Sequence, residues 1–289
     1  MDIPQDILKE IQVKQYNAND FIFTEGDKSD NFLYYVLDGN VNIYQKIHNK
    51  KEKINSLGKG QFFGEISLIV NTPRTAEVRS GITGVKIALI DNDIFSMIIK
   101  KEVNFVYKFL FETLKRFSVI EDKLIAMNKP IPIFLQEKQT LNLLLESRAQ
   151  NANIINYVNK TREIYGYIDK ILFVEGADMK YLNHIFFITE GSISLVKQID
   201  DKEVEVFELN KGDLFGLETF IKGKRKWVYS AIVKSSTARI IFLDKTMLLK
   251  TAKLYPEIFS AVYHTILIYF LQAEKTYNQL LEEEEINSD

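Results

Sequence analysis

The sequence predicts a mainly β protein with helices: two tandem jelly-roll barrels, each flanked by α-helices. Two observations predict it. The chain repeats itself at a long interval, and each copy reads as short β-branched and aromatic runs broken at glycine. Ile22-Phe23-Thr24-Glu25-Gly26 returns as Leu172-Phe173-Val174-Glu175-Gly176. Tyr35-Val36-Leu37-Asp38-Gly39 returns as Phe187-Ile188-Thr189-Glu190-Gly191, and Lys59-Gly60-Gln61-Phe62-Phe63-Gly64 as Lys211-Gly212-Asp213-Leu214-Phe215-Gly216. Gly26 and Gly176 lie 150 residues apart, Gly39 and Gly191 152, Gly60 and Gly212 152. Solenoid units repeat every ~20–50 residues, so this period marks two copies of one domain.

The elements follow in order. Residues 32–44 and 185–196 are strand-like and break at Gly39 and Gly191. The other repeated glycines are natural turn positions. Many short strands with glycine punctuation predict a jelly roll. Asp91-Asn92-Asp93 is a cap signal for a helix over 94–127, where Phe105, Phe109, Phe117, Ile120 and Leu124 recur near helical spacing. Pro130-Ile131-Pro132 ends that helix, because proline biases its predecessor away from helix. Residues 135–158 read as a connecting helix. The second copy ends in a helix from about Pro256, with Phe259, Val262, Tyr263, Ile266, Phe270, Ala273, Tyr277 and Leu280 on one stripe. The expected organisation is a first domain over 1–128, a helical linker over 129–158 and a second domain over 159–289.

Composition narrows the function. At 289 residues the chain is long enough for two cores, and its 46% hydrophobic and 26% charged residues are ordinary for globular protein. A formal charge of -2 argues against a general affinity for nucleic acid, which needs an excess of Lys and Arg. The absence of cysteine excludes disulfides and thiolate metal sites. His48, His184 and His264 show no ligand spacing, so no metal is expected. The start, Met1-Asp2-Ile3-Pro4-Gln5-Asp6, has no signal-peptide character, and the most apolar stretch, 260–271, is too short to span a bilayer. A cytoplasmic protein is expected.

The segment Phe63-Gly64-Glu65-Ile66-Ser67-Leu68-Ile69-Val70-Asn71-Thr72-Pro73-Arg74-Thr75-Ala76-Glu77-Val78 carries the chemistry. It closely resembles the phosphate-binding cassette of cyclic nucleotide-binding domains, the family that includes protein kinase A regulatory subunits and catabolite activator proteins. The resemblance extends over residues 10–125. It implies a cyclic AMP or cyclic GMP ligand held by Phe63, Gly64, Glu65, Ile66, Ser67, Pro73, Arg74, Thr75 and Ala76. The residue types fit that task. A cyclic phosphodiester needs donors: Arg74 offers a planar fork for two oxygens, a helix opening at Glu65 offers free N–H groups, and Gly64 lets backbone approach closely. The family assigns the ribose 2′-hydroxyl to the Glu65 position. Thr75 is placed to meet phosphate or base edge, or simply to start a strand, and leaves the base open. Read alone, Glu65 and Arg74 would more readily be a surface ion pair on a loop; the complete cassette within a repeated domain favours the site. Departures from the commonest pattern are Ser67, which brings an extra donor, Asn71, and Glu77, whose carboxylate opposes anion binding. In the family the base is covered by the helix after the barrel, so Tyr107, Phe109, Phe111 and Phe117 are the candidate lids.

The second copy departs further. With Ser230-Ala231 matched to Thr75-Ala76, the arginine position holds Tyr229, Glu218 lies one place late, and Gly216 to Tyr229 spans 13 residues against 10 from Gly64 to Arg74. Either this site is vestigial, or Lys224, Arg225 and Lys226, with Tyr229 and Ser230 and the nearby Lys222, hold a different anion. Basic runs are usually solvated loop tips, which favours the first reading.

No helix-turn-helix, Walker loop, kinase signature or nucleophile elbow is present. The expectation is a non-catalytic sensor or adaptor acting on an unknown effector protein, without specific DNA binding. Its rivals are a structural assembly protein with vestigial sites and a transcriptional regulator acting through a separate DNA-binding partner. Lys115-Arg116-Phe117-Ser118-Val119 looks like a kinase site but fits buried helix better. The long apolar stripe of the last helix predicts a homodimer through residues 256–281, or equally its packing back onto the first domain.

Overall fold

The computed structural model describes residues 3, 5–47, 50–127, 162–179, 184–199, 201–216, 219, 226–254 and 256–288. The connecting helix expected over 135–158 lies outside them. The first copy runs α1 (Gln5–Leu8), β1 (Gln12–Tyr16), β2 (Phe21–Phe23), β3 (Leu33–Ile47), β4 (Lys50–Gly58), β5 (Phe62–Phe63), α2 (Glu65–Val70), β6 (Glu77–Ile90), α3 (Asn92–Lys101) and α4 (Val103–Ala126). The second runs β7 (Arg162–Tyr167), β8 (Ile171–Phe173), β9 (His184–Glu190), β10 (Ser192–Ile199), β11 (Lys202–Asn210), β12 (Leu214–Phe215), β13 (Ser230–Val233) and β14 (Thr237–Asp244). Two helices follow, α5 (Lys245–Leu254) and α6 (Pro256–Ser288).

The chain forms two compact units, residues 1–109 with 252–256 and 280–289, and residues 110–251 with 257–279. Strand order shows the repeat in three dimensions. The first copy has β1-β6-β3-β4 with β2 on β6 and β5 on β3; the second has β7-β14-β9-β12 and β8-β13-β10-β11. These are one topology, because the long β3 corresponds to β9 plus β10, and β6 to β13 plus β14. β3 crosses Gly39 as a single strand with register shifts on either side, whereas the second copy is interrupted at Gly191. Both glycines have left-handed φ, 77° and 75°, and a Cβ at Gly39 would lie 2.4 Å from the Gly84 carbonyl oxygen. Only glycine fits there.

The first core is apolar: Val36, Val41, Val78 and Ile87 on β3 and β6 are within 1% of full burial, around Tyr34 and Phe63. Each such side chain contributes about 1.5–3 kcal/mol when buried.

Asp91 caps α3 by accepting from the Ile94 amide at 2.9 Å. The helix expected over 94–127 is in fact two, because Glu102 leaves helical geometry at φ -119° and ψ 83°. Asp244 likewise accepts from the Met247 amide at 2.8 Å and starts α5, a helix unanticipated ahead of Pro256. Phe117 and Ser118 are buried in α4, as a helical reading of that segment requires. No helix among the described residues is long and apolar enough to cross a membrane.

The stripe on α6 is covered within the chain. Phe259, Val262, Tyr263, Ile266, Phe270 and Ala273 are all at most 5% exposed. In the second unit the Tyr263 and Thr113 hydroxyls share a hydrogen bond, Arg116 lies 5.5 Å from the Phe270 ring centroid, and Lys123 lies 4.7 Å from that of Tyr277. The exposed apolar face from which a homodimer was expected is therefore absent from the described part of this helix. Of the two ways to cover it, packing against α4 is the one observed.

Candidate functional site

The cassette is a short helix between two tight backbone features. Gly64 adopts φ 78°, and a Cβ there would lie 2.7 Å from Arg74 Nη1 and 3.0 Å from the Tyr34 ring. Glycine is therefore required by both backbone and packing. α2 begins at Glu65, as expected, and Asn71 closes it in a left-handed conformation. Ser67 donates its hydroxyl to the Pro73 carbonyl at 3.2 Å, and Ser29 donates to the Ser67 carbonyl at 3.3 Å. The donor expected of Ser67 thus ties the cassette loop together.

Arg74 sits at the centre, and its side chain is only 2% exposed. Nη1 donates to the Gly64 carbonyl at 3.1 Å, and Nη2 to the Phe32 carbonyl at 3.2 Å and the Tyr34 hydroxyl at 3.4 Å. Nη2 also pairs with the Asp30 carboxylate, which accepts in turn from the Tyr34 hydroxyl. The guanidinium carbon lies 4.3 Å from the Phe23 ring centroid and 5.1 Å from that of Tyr34. Burial, followed by the Asp30 contact, pushes the Tyr34 phenol far above its ordinary pKa. A buried cation is retained only when paired and hydrogen-bonded, and the network meets that need while fixing the guanidinium plane.

Sequence reasoning found Arg74 but missed Asp30 and Tyr34. The one signal was position: Asp30 follows the repeated Glu25-Gly26 turn, and Tyr34 opens the repeated strand. Glu65, Ile66 and Ser67 are buried in α2, Thr75 and Ala76 are half-buried, and Pro73 is exposed. Glu77, whose carboxylate was expected to oppose an anion, is balanced by two cations. It pairs with Lys51 at 2.6 Å and Arg79 at 2.7 Å. It also lies next to the core residue Val78, and successive strand residues face opposite ways. Burial raises its pKa, but the bonds and charges of Lys51 and Arg79 outweigh this and hold it below the ordinary carboxylate value. Among the lid candidates, Phe109 packs 5.6 Å from Phe62 and Phe117 is buried, while Tyr107 and Phe111 are half-buried.

The second copy requires a correction. In the first, the Gly26 amide donates to the Arg74 carbonyl and the Arg74 amide to the Asp27 carbonyl, both at 2.8 Å. In the second, the Gly176 amide donates to the Trp227 carbonyl at 2.9 Å, and the Trp227 amide to the Ala177 carbonyl at 3.0 Å. Strand register agrees: Val78 opposes Phe23 and Ile43, as Ala231 opposes Phe173 and Leu195. The residue at the arginine position is therefore Trp227, not Tyr229, which falls at the position of Ala76. Pairing by the Ser-Ala motif was off by two because the loop is one residue longer, not three.

Of the alternative anion group, Lys222, Lys224 and Arg225 lie outside the described residues, as does Glu218. Lys226 is exposed and bridged through its backbone to Asp178, Tyr229 is buried, and the Ser230 hydroxyl accepts from the Glu175 amide at 2.9 Å. Lys226, Tyr229 and Ser230 thus serve separate backbone and core roles.

Fold and site together define a β module built twice, with a buried arginine in the cassette of the first copy and Trp227 at the corresponding position of the second. The chain belongs to the cyclic nucleotide-binding domain family, which matches residues 13–102 and again 169–254. Over 231 residues it is 28% identical to the cAMP-dependent protein kinase type II regulatory subunit of Drosophila melanogaster, covering 80% of this chain and 52% of that protein. Over 212 residues it is 30% identical to the cAMP-dependent protein kinase regulatory subunit of Debaryomyces hansenii, covering 73% and 38%. The chain thus spans about half or less of these curated relatives. The regulatory domain of Toxoplasma gondii PKA, solved with cAMP, covers 91% of this chain and 88% of its own at 19% identity, with a TM-score of 0.31.

Proposed function

We propose that this protein is a cyclic nucleotide sensor or adaptor that binds one cyclic purine mononucleotide, cyclic AMP or cyclic GMP, in its first domain. The observation that carries this is Arg74: a pre-oriented cation within an ungapped cassette, in a chain of the cyclic nucleotide-binding family. Phe63, Gly64, Glu65, Ile66, Ser67, Pro73, Arg74, Thr75 and Ala76 form the site, with Arg74 on the phosphate and Glu65 on the ribose. The working domains are 1–128 and 159–289, joined by a helical linker over 129–158. Ligand capture repositions the helix after the first sheet and so alters contacts with an effector protein.

The protein is read as a non-catalytic regulator acting in the cytoplasm. Two relatives carry the name of protein kinase regulatory subunits, so a kinase catalytic subunit is the first effector to test. Calorimetric titration with cyclic AMP and cyclic GMP tests the proposal. Saturable binding of either is expected; binding of neither would leave an assembly protein with two vestigial sites. A sequence-selective complex with duplex DNA in a gel shift at physiological salt would overturn the sensor-adaptor reading in favour of a transcriptional regulator.

A further inference from the structure

The first copy supplies an internal reference for the second, position by position. Trp227 stands where Arg74 stands, Tyr229 where Ala76 stands, and Phe207, opposite Leu195, where Asn55 stands opposite Ile43. In the first copy these positions are an arginine, a half-buried alanine and an exposed asparagine. In the second they are three aromatic rings, each at most 8% exposed.

Tyr229 and Phe207 pack on one another, and Trp227 packs on Phe173 and Phe186. The Trp227 ring lies 4.2 Å from Phe173, occupying the place over β8 that the Arg74 guanidinium occupies over Phe23 on β2. Tyr229 meets Phe207 edge to face at 5.7 Å. Lys197, 5.6 Å above the Tyr229 ring, donates to the Val228 carbonyl at 3.2 Å and pairs with Glu175 at 2.8 Å. One polar partner of the arginine is lost too, since Phe186 stands where Tyr34 stands.

We propose that the second domain carries a built-in aromatic plug: Trp227 takes the place of the arginine itself, and Tyr229 and Phe207, standing where the first copy has a small and an exposed polar side chain, fill space that a nucleotide would take. The domain is thereby held in one ligand-independent conformation. Every nucleotide response of the chain then belongs to the first domain, while the second is a fixed partner in the fold. This rests on the first domain being a nucleotide site, since that site defines the space being filled. Loss of the arginine alone would weaken binding. Three buried rings at the positions of the arginine, the alanine and the asparagine would exclude a ligand by volume as well, because packed interiors leave no room for one.

Trp227 is the chain's sole tryptophan, so its emission reports this pocket directly. The test titrates the 289-residue wild type and Arg74→Ala with cyclic AMP and cyclic GMP. Ligand is counted by calorimetry, and Trp227 shielding is followed by acrylamide quenching. Wild type should take one equivalent and Arg74→Ala at most one, bound more weakly by roughly a hundredfold or more, with Trp227 weakly quenched and unchanged in both. Two equivalents on wild type, strong quenching of ligand-free protein, or a Trp227 response to nucleotide in Arg74→Ala would each overturn the plug. If neither protein binds nucleotide while Trp227 stays shielded, the reading of the first domain fails and the plug falls with it, whereas one equivalent on wild type with a strongly quenched Trp227 overturns the plug alone.

Discussion

Arg74 shows what a sequence can and cannot announce about a side chain. Its identity was legible, since Pro-Arg-Thr-Ala follows Phe-Gly-Glu without a gap. Its company was not, because Asp30 and Tyr34 lie 44 and 40 residues away and meet it only through the fold. Charged hydrogen bonds contribute about 1.5–3 kcal/mol each. Arg74→Ala should therefore weaken nucleotide binding by roughly a hundredfold or more, read by calorimetry. Glu65→Ala should cost less and narrow the preference for ribo- over 2′-deoxynucleotide; an unchanged preference would remove Glu65 from the ribose. Asp30 is half-exposed, so its pair with Arg74 is partly screened. Asp30→Asn should lower the urea midpoint by an amount equivalent to about 1 kcal/mol without changing the slope. Glu77 provides a pH signature. Its folded pKa is depressed, so its contribution is fully present above about pH 4.3 and is lost as pH falls through the lower folded value. Glu77→Gln should flatten that part of the acid-unfolding curve and leave stability above it insensitive to pH. An equally steep acid limb would show that other carboxylates set it.

At the scale of elements, the repeat was legible because glycine turns constrain sequence as well as shape: Gly39 and Gly191 need left-handed backbone, so both copies keep them. Helices were less legible. α3 and α4 read as one helix because the apolar period runs across the break at Glu102, which has no proline or glycine to mark it. α5 was hidden because Asp244 is a lone cap signal without the polar cluster that announces α3. The cassette of the second copy was misaligned because Ser230-Ala231 imitates Thr75-Ala76 in type while the backbone places Trp227 beside Gly176. Trp227 is core by every contact it makes, so Trp227→Ala should destabilise the second domain by about 3–5 kcal/mol, measured by denaturant unfolding. A loss below ~1 kcal/mol would mean the ring packs loosely. Between helices, Thr113→Val and Tyr263→Phe remove opposite ends of one buried hydrogen bond. A double-mutant cycle should show them non-additive by about 0.5–3 kcal/mol, and simple additivity would show that the hydroxyls do not communicate.

For the whole molecule, the decisive quantity is how much apolar surface is left to bury. Sequence alone shows that α6 carries a stripe longer than one domain needs; it cannot say what lies against it, because periodicity records a face and not its partner. The structure supplies that partner in the second unit, where Thr113, Arg116 and Lys123 of α4 lie against Tyr263, Phe270 and Tyr277. Six stripe residues are at most 5% exposed within a single chain, so a second copy would gain almost no apolar area there. Stable interfaces bury about 1,200–2,000 Å² in total, and the described face of α6 cannot contribute that without α4 first leaving. The apolar side chains that do stay exposed lie elsewhere, with Tyr167 and Ile168 at 70% and 58% in the turn between β7 and β8. Light scattering at micromolar concentration should accordingly return the mass of one chain, 33.6 kDa. Twice that mass, unchanged by Tyr167→Lys with Ile168→Lys, would show that α6 exchanges α4 for a second copy and would restore the homodimer through residues 256–281. Twice that mass, lost in the same double variant, would place the contact at the β7–β8 turn and leave the α4–α6 packing intact.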